Sequence, residues 1–174
     1  MATPLRVEML PDGEASVVYD ADVIHGGDRD NRPPGSDISD LPADMQAQIS
    51  AVWTPDVVAS YQAATARSEA LAAIQARRDQ AILAFSFAGH PVPLTDKTQQ
   101  DVGNAVQALA RQPAGTTVAW EIADGVYIDM DLATLQAMGD AAFAHIQACF
   151  ANSKALTASQ AAGSPYDLES GWPT

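Results

Sequence analysis

The sequence contains a single cysteine, Cys149, among its 174 residues. One thiol cannot form a disulfide within the chain, so folding in an oxidising compartment is not required. Cys149 lies within a helical pattern, and we expect a buried, unreactive thiol, because a reactive thiolate needs a neighbouring base or cation. The first residues also lack a basic segment followed by an apolar stretch, which predicts synthesis and folding in a cytoplasm.

Basic residues are scarce as well: 9 Lys and Arg stand against 22 Asp and Glu, and the formal net charge is −13. Sequence-independent binding to nucleic acid needs clustered cations that displace counterions, and an anionic membrane repels a chain of this charge. No apolar run approaches the roughly 20 residues of a membrane-spanning helix. We therefore expect neither nucleic acid nor a membrane as a partner.

Aromatic residues make up only 6% of the chain, although 47% of its residues are hydrophobic. Much of the hydrophobic share is alanine, which favours helices that pack closely through small side chains. The predicted fold class is α+β, with an N-terminal β-hairpin, an acidic loop, a long helix, and a small domain of hairpin, helix, hairpin and helix. The predicted boundaries are 1–20 for the first hairpin, 21–41 for an acidic Pro/Gly linker, 42–84 for a helical segment and possible stalk, 85–160 for the α+β domain, and 161–174 for a tail.

The clearest pattern is the stretch 117–135, where two apolar runs flank the turn signal Ala123-Asp124-Gly125 and precede a helix capped by Asp131. A three-residue loop keeps one face of this hairpin apolar, whereas a two-residue loop mixes apolar and charged side chains on that face. The expected cross-strand pairs are Ile122 with Val126, Trp120 with Ile128, and Val118 with Met130. We predict that this face is the platform on which the neighbouring helices pack.

Residues 5–19 show the same pattern, with two alternating runs on either side of the turn signal Pro11-Asp12-Gly13. A three-residue loop pairs Val7 with Val17, Met9 with Ala15, and Leu5 with Tyr19. A two-stranded hairpin is marginal alone in water, so we expect it to lie on this chain's helices or on a neighbouring subunit.

The segment 21–41 is predicted to be a linker or long loop, because repeated aspartates leave little apolar surface to order it. Asp28 and Asp30 have the first spacing of an acidic cation loop. Arg32 occupies the next alternate position, where such a loop needs an oxygen, and Pro33-Pro34 excludes the usual turn. We therefore expect no metal site.

Two helices are predicted in the segment 42–84. Asp40 or Ser39 is expected to cap the first, whose apolar stripe is Met45, Ile49, Val52 and Trp53. Thr54 is expected to cap the second, which runs from Pro55 to about Phe85. Its positions 57, 61, 64, 68, 71, 75, 78, 82 and 85 have coiled-coil spacing, and six of them are apolar. Two interpretations stay open: a helix packed on its own domain, and a stalk that associates with copies of itself.

The C-terminal half has strong local signals. A two-residue Ala88-Gly89 turn is expected to set Phe85 against Val92 and Phe87 against His90. Thr95 and Asp131 are predicted to cap the two helices that follow. The buried stripe of the first is predicted to be Val102, Val106 and Leu109, and that of the second Leu132, Leu135, Met138, Ala142, Ile146, Cys149 and Phe150. In the tail, Tyr166, Leu168 and Trp172 indicate docking onto a surface.

Catalytic and cofactor motifs are missing from the sequence: it has no phosphate-binding glycine loop, dinucleotide fingerprint, zinc helix or serine elbow. We therefore expect no cofactor and no enzymatic activity. The histidines His25, His90 and His145 are expected to be surface or hydrogen-bonded core residues. Glu121 and Asp129 share one face in the predicted register, and two such carboxylates suit glycoside cleavage. A solvated hairpin face is the simpler interpretation, and we adopt it.

The order of elements from Arg78 onward resembles a domain of unknown function in tailed-phage genomes, found near the C-terminus of proteins from the tail and tail-fibre region. The resemblance rests on Phe85, Gly89 and Leu94, on Gln99 and Val102, and on Trp120, Asp124-Gly125-Val126 and Asp131-Leu132. The stretch before it, PADMQAQISAVWTPDVVASYQ, looks like the helical lead-in of small tail-fibre-associated proteins. Together they cover about residues 40 to 160.

This resemblance implies a structural component of a bacteriophage tail that is attached to tail fibres or the baseplate and acts by protein contacts. Its expected partners are other tail or tail-fibre proteins and further copies of itself, and its expected location is the virion after synthesis in the host cytoplasm. A tail-fibre assembly chaperone absent from the virion is the alternative, and a small hydrolase is a minor one. The residues expected to carry structural or interaction roles are Trp120, Ile122, Val126, Ile128, Phe85, Tyr61, Leu71, Ile82 and Trp172.

Overall fold

The computed structural model describes residues 4–11, 14–19, 29–123 and 125–173. The chain divides into two compact units, Met1–Glu69 and Ala70–Thr174. Helices and small antiparallel sheets make up the fold, which confirms the predicted α+β class. In chain order the elements are β1 (Pro4–Met9), β2 (Ala15–Tyr19), β3 (Arg29–Arg32), α1 (Ala43–Val52), α2 (Pro55–Leu83), β4 (Ser86–Phe87), β5 (His90–Pro91), α3 (Asp96–Leu109), β6 (Thr117–Ala123), β7 (Val126–Asp131) and α4 (Leu132–Ala161).

The first unit is built on an antiparallel sheet in the order β1-β2-β3, with α1 against it. The pairs Val7 with Val17 and Met9 with Ala15 are as predicted. The pairing shifts between Pro4 and Arg6, and Pro4 instead of Leu5 lies opposite Tyr19. The predicted Leu5 pair is therefore wrong, because a bulge at the start of β1 inserts one extra residue. The buried side chains of this unit's core are Ala15, Val17, Leu41, Met45 and Ile49.

The predicted linker 21–41 contains a strand, so the expectation of a linker or long loop is wrong for Arg29–Arg32. This strand has no apolar alternation, and two interactions hold it: the ladder to β2 and the side chain of Arg32. The Arg32 guanidinium donates to the carboxylates of Asp30 at 2.8 Å and Asp40 at 2.6 Å and to the carbonyl oxygen of Asp37 at 3.1 Å. The bond from Arg32 holds the pKa of the Asp40 carboxyl below its usual value. Of the two aspartates with cation-loop spacing, Asp30 forms an ion pair with Arg32. Asp28 lies outside the described residues.

The same ion pair explains a wrong prediction at the start of α1. Asp40 or Ser39 was expected as the cap, but Pro42 precedes the helix and no side chain caps it. Met45 and Ile49 are buried as predicted, and Trp53 packs beside them. Val52 is exposed, so the predicted apolar stripe ends before it.

Helix α2 runs from Pro55 to Leu83, and Thr54 caps it as predicted: the Oγ1 of Thr54 accepts from the N–H of Val57 at 3.4 Å. All residues from 62 to 69 are exposed. Of the predicted coiled-coil positions, Ile82 and Phe85 pack into the core of the second unit. That end of the helix therefore packs on its own domain, which is one of the two interpretations left open by the sequence.

In the second unit, helices pack against two antiparallel hairpins. The turn at Ala88 and Gly89 has positive φ at both residues, and Phe87 pairs with His90 as predicted. The cap at Thr95 is confirmed by a bond from the N–H of Thr98 at 3.1 Å, and the cap at Asp131 by one from the N–H of Thr134 at 2.8 Å. The buried residues of this core are Phe85, Val92, Leu94, Val102, Leu109, Met130, Leu135, Met138 and Ala142.

The β6–β7 register agrees with the prediction except at its tip. Val118 pairs with Met130 and Trp120 with Ile128. Between Glu121 and Ala123 the register shifts, and Ala123 rather than Ile122 lies opposite Val126. The predicted Ile122 pair is wrong because Ile122 is the extra residue of a bulge.

Helices α2 and α4 run antiparallel, since Ala81 contacts His145 while Arg78, earlier in α2, contacts Phe150, later in α4. The Nε2 of His145 lies 2.8 Å from the carbonyl oxygen of Ala81, and the ring of Phe85 meets the imidazole edge to face. A carbonyl oxygen only accepts, so Nε2 carries the proton. His145 is thus a hydrogen-bonded core histidine, as expected.

The tail docks on the second unit itself. Arg77 of α2 bonds to the Glu169 carboxylate at 2.8 Å, and its guanidinium lies 5.4 Å from the ring centre of Trp172. Asn152 of α4 donates to the carbonyl oxygen of Ser170 at 3.0 Å. Gly171 has φ +80°, and a Cβ there would lie 2.6 Å from Asn152, so glycine is needed for this close approach. The surface on which the tail docks, left open by the sequence, belongs to the same chain.

Candidate interaction site

The second unit leaves an apolar groove between the end of α2, the start of α3 and the middle of α4. Its volume is about 490 Å³. We call this the apolar groove; its lining residues are Asp79, Ile82, Leu83, Leu94, Thr95, Asp96, Gln99, Ile146 and Phe150. Leu83 and Phe150 are each 47% exposed, although both are large apolar side chains.

Helix α4 supplies one wall of this groove. Its buried residues, from Leu135 to Leu156, recur at helical spacing and face the core. Phe143 and Phe150 are seven residues apart, so they share a different face, beside the half-buried Ile146. Phe143 is 66% exposed. Phe150 was predicted in the buried stripe, and that prediction is wrong, because its ring faces outward under the guanidinium of Arg78 at 5.1 Å.

The rim of the apolar groove carries charge. Arg78 donates twice to the carboxylate of Asp79, at 2.9 and 2.7 Å, while its guanidinium covers the ring of Phe150. On the other side the lining includes Asp96, in the first turn of α3. An apolar floor with a polar rim is the usual anatomy of a protein contact surface.

The other residues expected to act in interactions are spread over the chain. Tyr61 belongs to the first unit, where its hydroxyl donates to Glu14 at 3.2 Å. Leu71 is half-buried on α2, Phe85 is buried, and Trp172 is half-buried on the docked tail. Of the predicted residues, only Ile82 lines the apolar groove, so sequence reasoning missed its exposed lining residues Leu83 and Phe150. The heptad spacing of Phe143 and Phe150 beside the buried stripe was the available signal.

The predicted platform on the β6–β7 hairpin is only partly confirmed. Trp120 and Ile128 are half-buried and pack against the core, and Met130 is fully buried. Ile122 is half-buried, but Val126 is 50% exposed and does not belong to the platform. The reason is that the tip of the hairpin extends past the helices that cover its base.

The candidate catalytic carboxylates lie on the exposed side of this hairpin. Glu121 and Asp129 are both exposed. Glu121 accepts a bond from the N–H of Gly125 at 3.0 Å, so its carboxylate closes the turn.

Cys149 is fully buried, as predicted, and burial raises the pKa of its thiol. Residues 4–11, 14–19, 29–123 and 125–173 contain no group of three His, Cys, Asp or Glu side chains arranged to hold a metal ion. In the same part of the chain, no helix has the length and apolarity to cross a membrane. His90 is half-buried in the β4–β5 hairpin, and His25 lies outside the described residues.

A known family model matches most of the second unit. Residues 65–170 match the model of the domain of unknown function DUF4376, which is more than half of the chain. The chain therefore belongs to the DUF4376 family. No curated protein and no solved structure matches it.

Proposed function

We propose that this protein is a structural component of a bacteriophage tail, attached to tail fibres or the baseplate, that acts through protein–protein contacts at its apolar groove. The observation that carries the contact role is the exposure of Leu83 and Phe150 in one groove. Phe143 adds a further exposed ring on the same face of α4 as Phe150. Large apolar side chains left together in water mark contact surfaces in proteins of this size. The assignment to a phage tail rests on the sequence resemblance from Arg78 onward.

The charge of the chain favours partners other than itself. A net charge of −13 makes two copies repel, whereas it suits a partner that presents apolar side chains between Lys and Arg. Association of copies along α2 remains a prediction. Fewer residues of the coiled-coil seam are available for it, because Ile82 and Phe85 pack in the core of the second unit.

Mass spectrometry of purified, salt-washed phage particles tests the proposal. We expect the chain in the particles in a fixed ratio to the tail proteins. Its presence in the lysate and absence from the particles would contradict the tail-component proposal and support the alternative, an assembly chaperone that uses the same exposed surface and leaves.

A pair of variants connects the groove to this role. Leu83→Ser with Phe150→Ser removes two exposed apolar side chains of the groove, and we expect loss of the chain from particles without loss of folding. Val126→Ser is the matched control, because Val126 is equally exposed but lies outside the groove. Normal incorporation of the double variant would show that the groove is not the contact surface.

A further inference from the structure

A second groove in the same unit has a different chemistry. It is also about 490 Å³ and runs along the edge of β6 that faces Pro91 and the start of α3. We call this the aromatic groove; it is lined by residues that include Trp120, Tyr127, Lys97, Asp101 and Glu121 and shares none with the apolar groove. Its volume lies in the range of small-molecule sites.

Two aromatic side chains line this groove, although aromatics are only 6% of the sequence. Trp120 is half-buried and fixed by its packing on the core. Tyr127 is 58% exposed on the neighbouring strand, opposite Glu121. Pro91 and Pro93 belong to the same lining and lack the N–H groups that would extend the sheet here. The lining therefore combines rigid, flat, apolar surfaces that remain open to a ligand.

The polar groups of the aromatic groove keep free hydrogen-bonding capacity. Glu121 uses Oε1 for the N–H of Gly125, and Asp101 uses Oδ2 for the ammonium of Lys97. In the part of the chain that the structure describes, no protein group bonds to Glu121 Oε2, to Asp101 Oδ1 or to the indole N–H of Trp120. The groove thus offers two free acceptors and one free donor beside two aromatic rings.

We propose that the aromatic groove binds a neutral oligosaccharide. A pyranose ring has an apolar face of C–H groups, which packs on an aromatic ring, and an edge of hydroxyls that both donate and accept. The carboxylates of Asp101 and Glu121 accept from such hydroxyls, and the indole N–H donates to one. Anionic saccharides are disfavoured because the groove has two carboxylates against one ammonium on a chain of net charge −13.

Saturation-transfer NMR with the full chain tests this site, with maltohexaose, cellohexaose and the hexamer of N-acetylglucosamine as probes. We expect at least one probe to receive saturation, and its Kd to rise about tenfold in Tyr127→Ala, which removes one stacking surface. Asp101→Asn is expected to weaken binding as well, because an amide accepts at only one atom. Tyr166→Ala is the matched control, since Tyr166 is an exposed tyrosine outside the groove.

Three results would overturn the proposal: no transfer to any of the three probes, an unchanged Kd in Tyr127→Ala, or equally tight binding of a hyaluronan hexasaccharide, which is anionic. Tyr127 is largely exposed, so its variant should keep the wild-type melting temperature, and a loss of binding then reports the site. The test is independent of any role in a phage tail.

Discussion

The two ends of the β6–β7 hairpin share one alternating pattern of apolar residues but differ in how deeply these residues are buried. At the base, Val118 and Met130 pair, and Met130 is 1% exposed under the helices. At the tip, Val126 is 50% exposed and Ile122 is an extra residue in a bulge. The pattern along the strands is continuous, but the helices cover only the base. Alternation thus identifies the face, and the tertiary arrangement decides how far along it burial extends.

Trp120 and Ile128 lie between these ends, where the hairpin passes from the buried core to the solvent-exposed tip. They pack against the core, while Trp120 also lines the aromatic groove. If this gradient from base to tip is correct, the free-energy cost of truncation should fall in the order Met130, Trp120, Val126, although tryptophan is the largest of the three side chains.

Met130→Ala should have the largest effect. We expect a loss of about 3 kcal/mol in the free energy of unfolding, because the change removes a fully buried side chain and leaves a cavity. Urea unfolding followed by helical circular dichroism measures it. Met130→Leu, which nearly conserves volume, is the control and should cost less than about 1.5 kcal/mol. A smaller loss for Met130→Ala than for Trp120→Ala would break the proposed gradient.

Trp120→Ala should cost less, about 2 kcal/mol, because part of the ring is already in contact with water. The same urea titration measures this. Trp120→Phe keeps an aromatic ring on the core and should recover most of the loss. A loss as large as that of Met130→Ala would mean that the middle of the hairpin is as well covered as its base.

Asp131 sharpens the comparison at the base, where it ends β7 and caps α4. The N–H groups at the start of the helix, that of Thr134 first, hold the pKa of the Asp131 carboxyl below its usual value. A carboxyl with a lowered folded-state pKa adds stability above its unfolded-state pKa, and this stability is lost as the pH falls through the folded-state pKa. Asp131→Ala should therefore lower the melting temperature at pH 7, by less than Trp120→Ala, and the difference from wild type should shrink below pH 4.

Asp131→Asn separates the two contributions. Asparagine caps a helix as well as aspartate does but carries no charge to titrate. This variant should melt slightly below wild type at pH 7 and approach wild type only as the pH falls below 4. An equal loss for Asn and Ala at every pH would show that the carboxylate charge, and not the hydrogen-bonded cap, stabilises the start of α4.

The features that sequence reasoning predicted correctly are local ones. The caps Thr54, Thr95 and Asp131 depend on residues within one helical turn, and the Ala88-Gly89 turn depends on two residues. The central cross-strand pairs follow from alternation over a few positions. All of these need only neighbours in the chain, so the sequence contains the required information.

What could not be predicted depends on distant parts of the chain. Strand β3 has the sequence RDNR and is ordered by its ladder to β2 and by the ion pairs of Arg32. The exposure of Phe143 and Phe150 depends on which face of α4 the other helices leave uncovered. The aromatic groove joins Asp101 of α3 with Trp120 and Tyr127 of two strands, and no spacing along the chain indicates that meeting.

Val126→Ser is the smallest expected effect and the sharpest test of the tip. Because half of the Val126 surface is in water, replacing it should change the free energy of unfolding by no more than about 0.5 kcal/mol. The register alone would place Val126 on an apolar face, where serine should cost much more. Val118→Ser, the same change at the covered base of the same hairpin, is the control and should be clearly destabilising. Equal losses for the two serine variants in one urea titration would mean that the tip is covered like the base, and the distinction between the two ends would have to be given up.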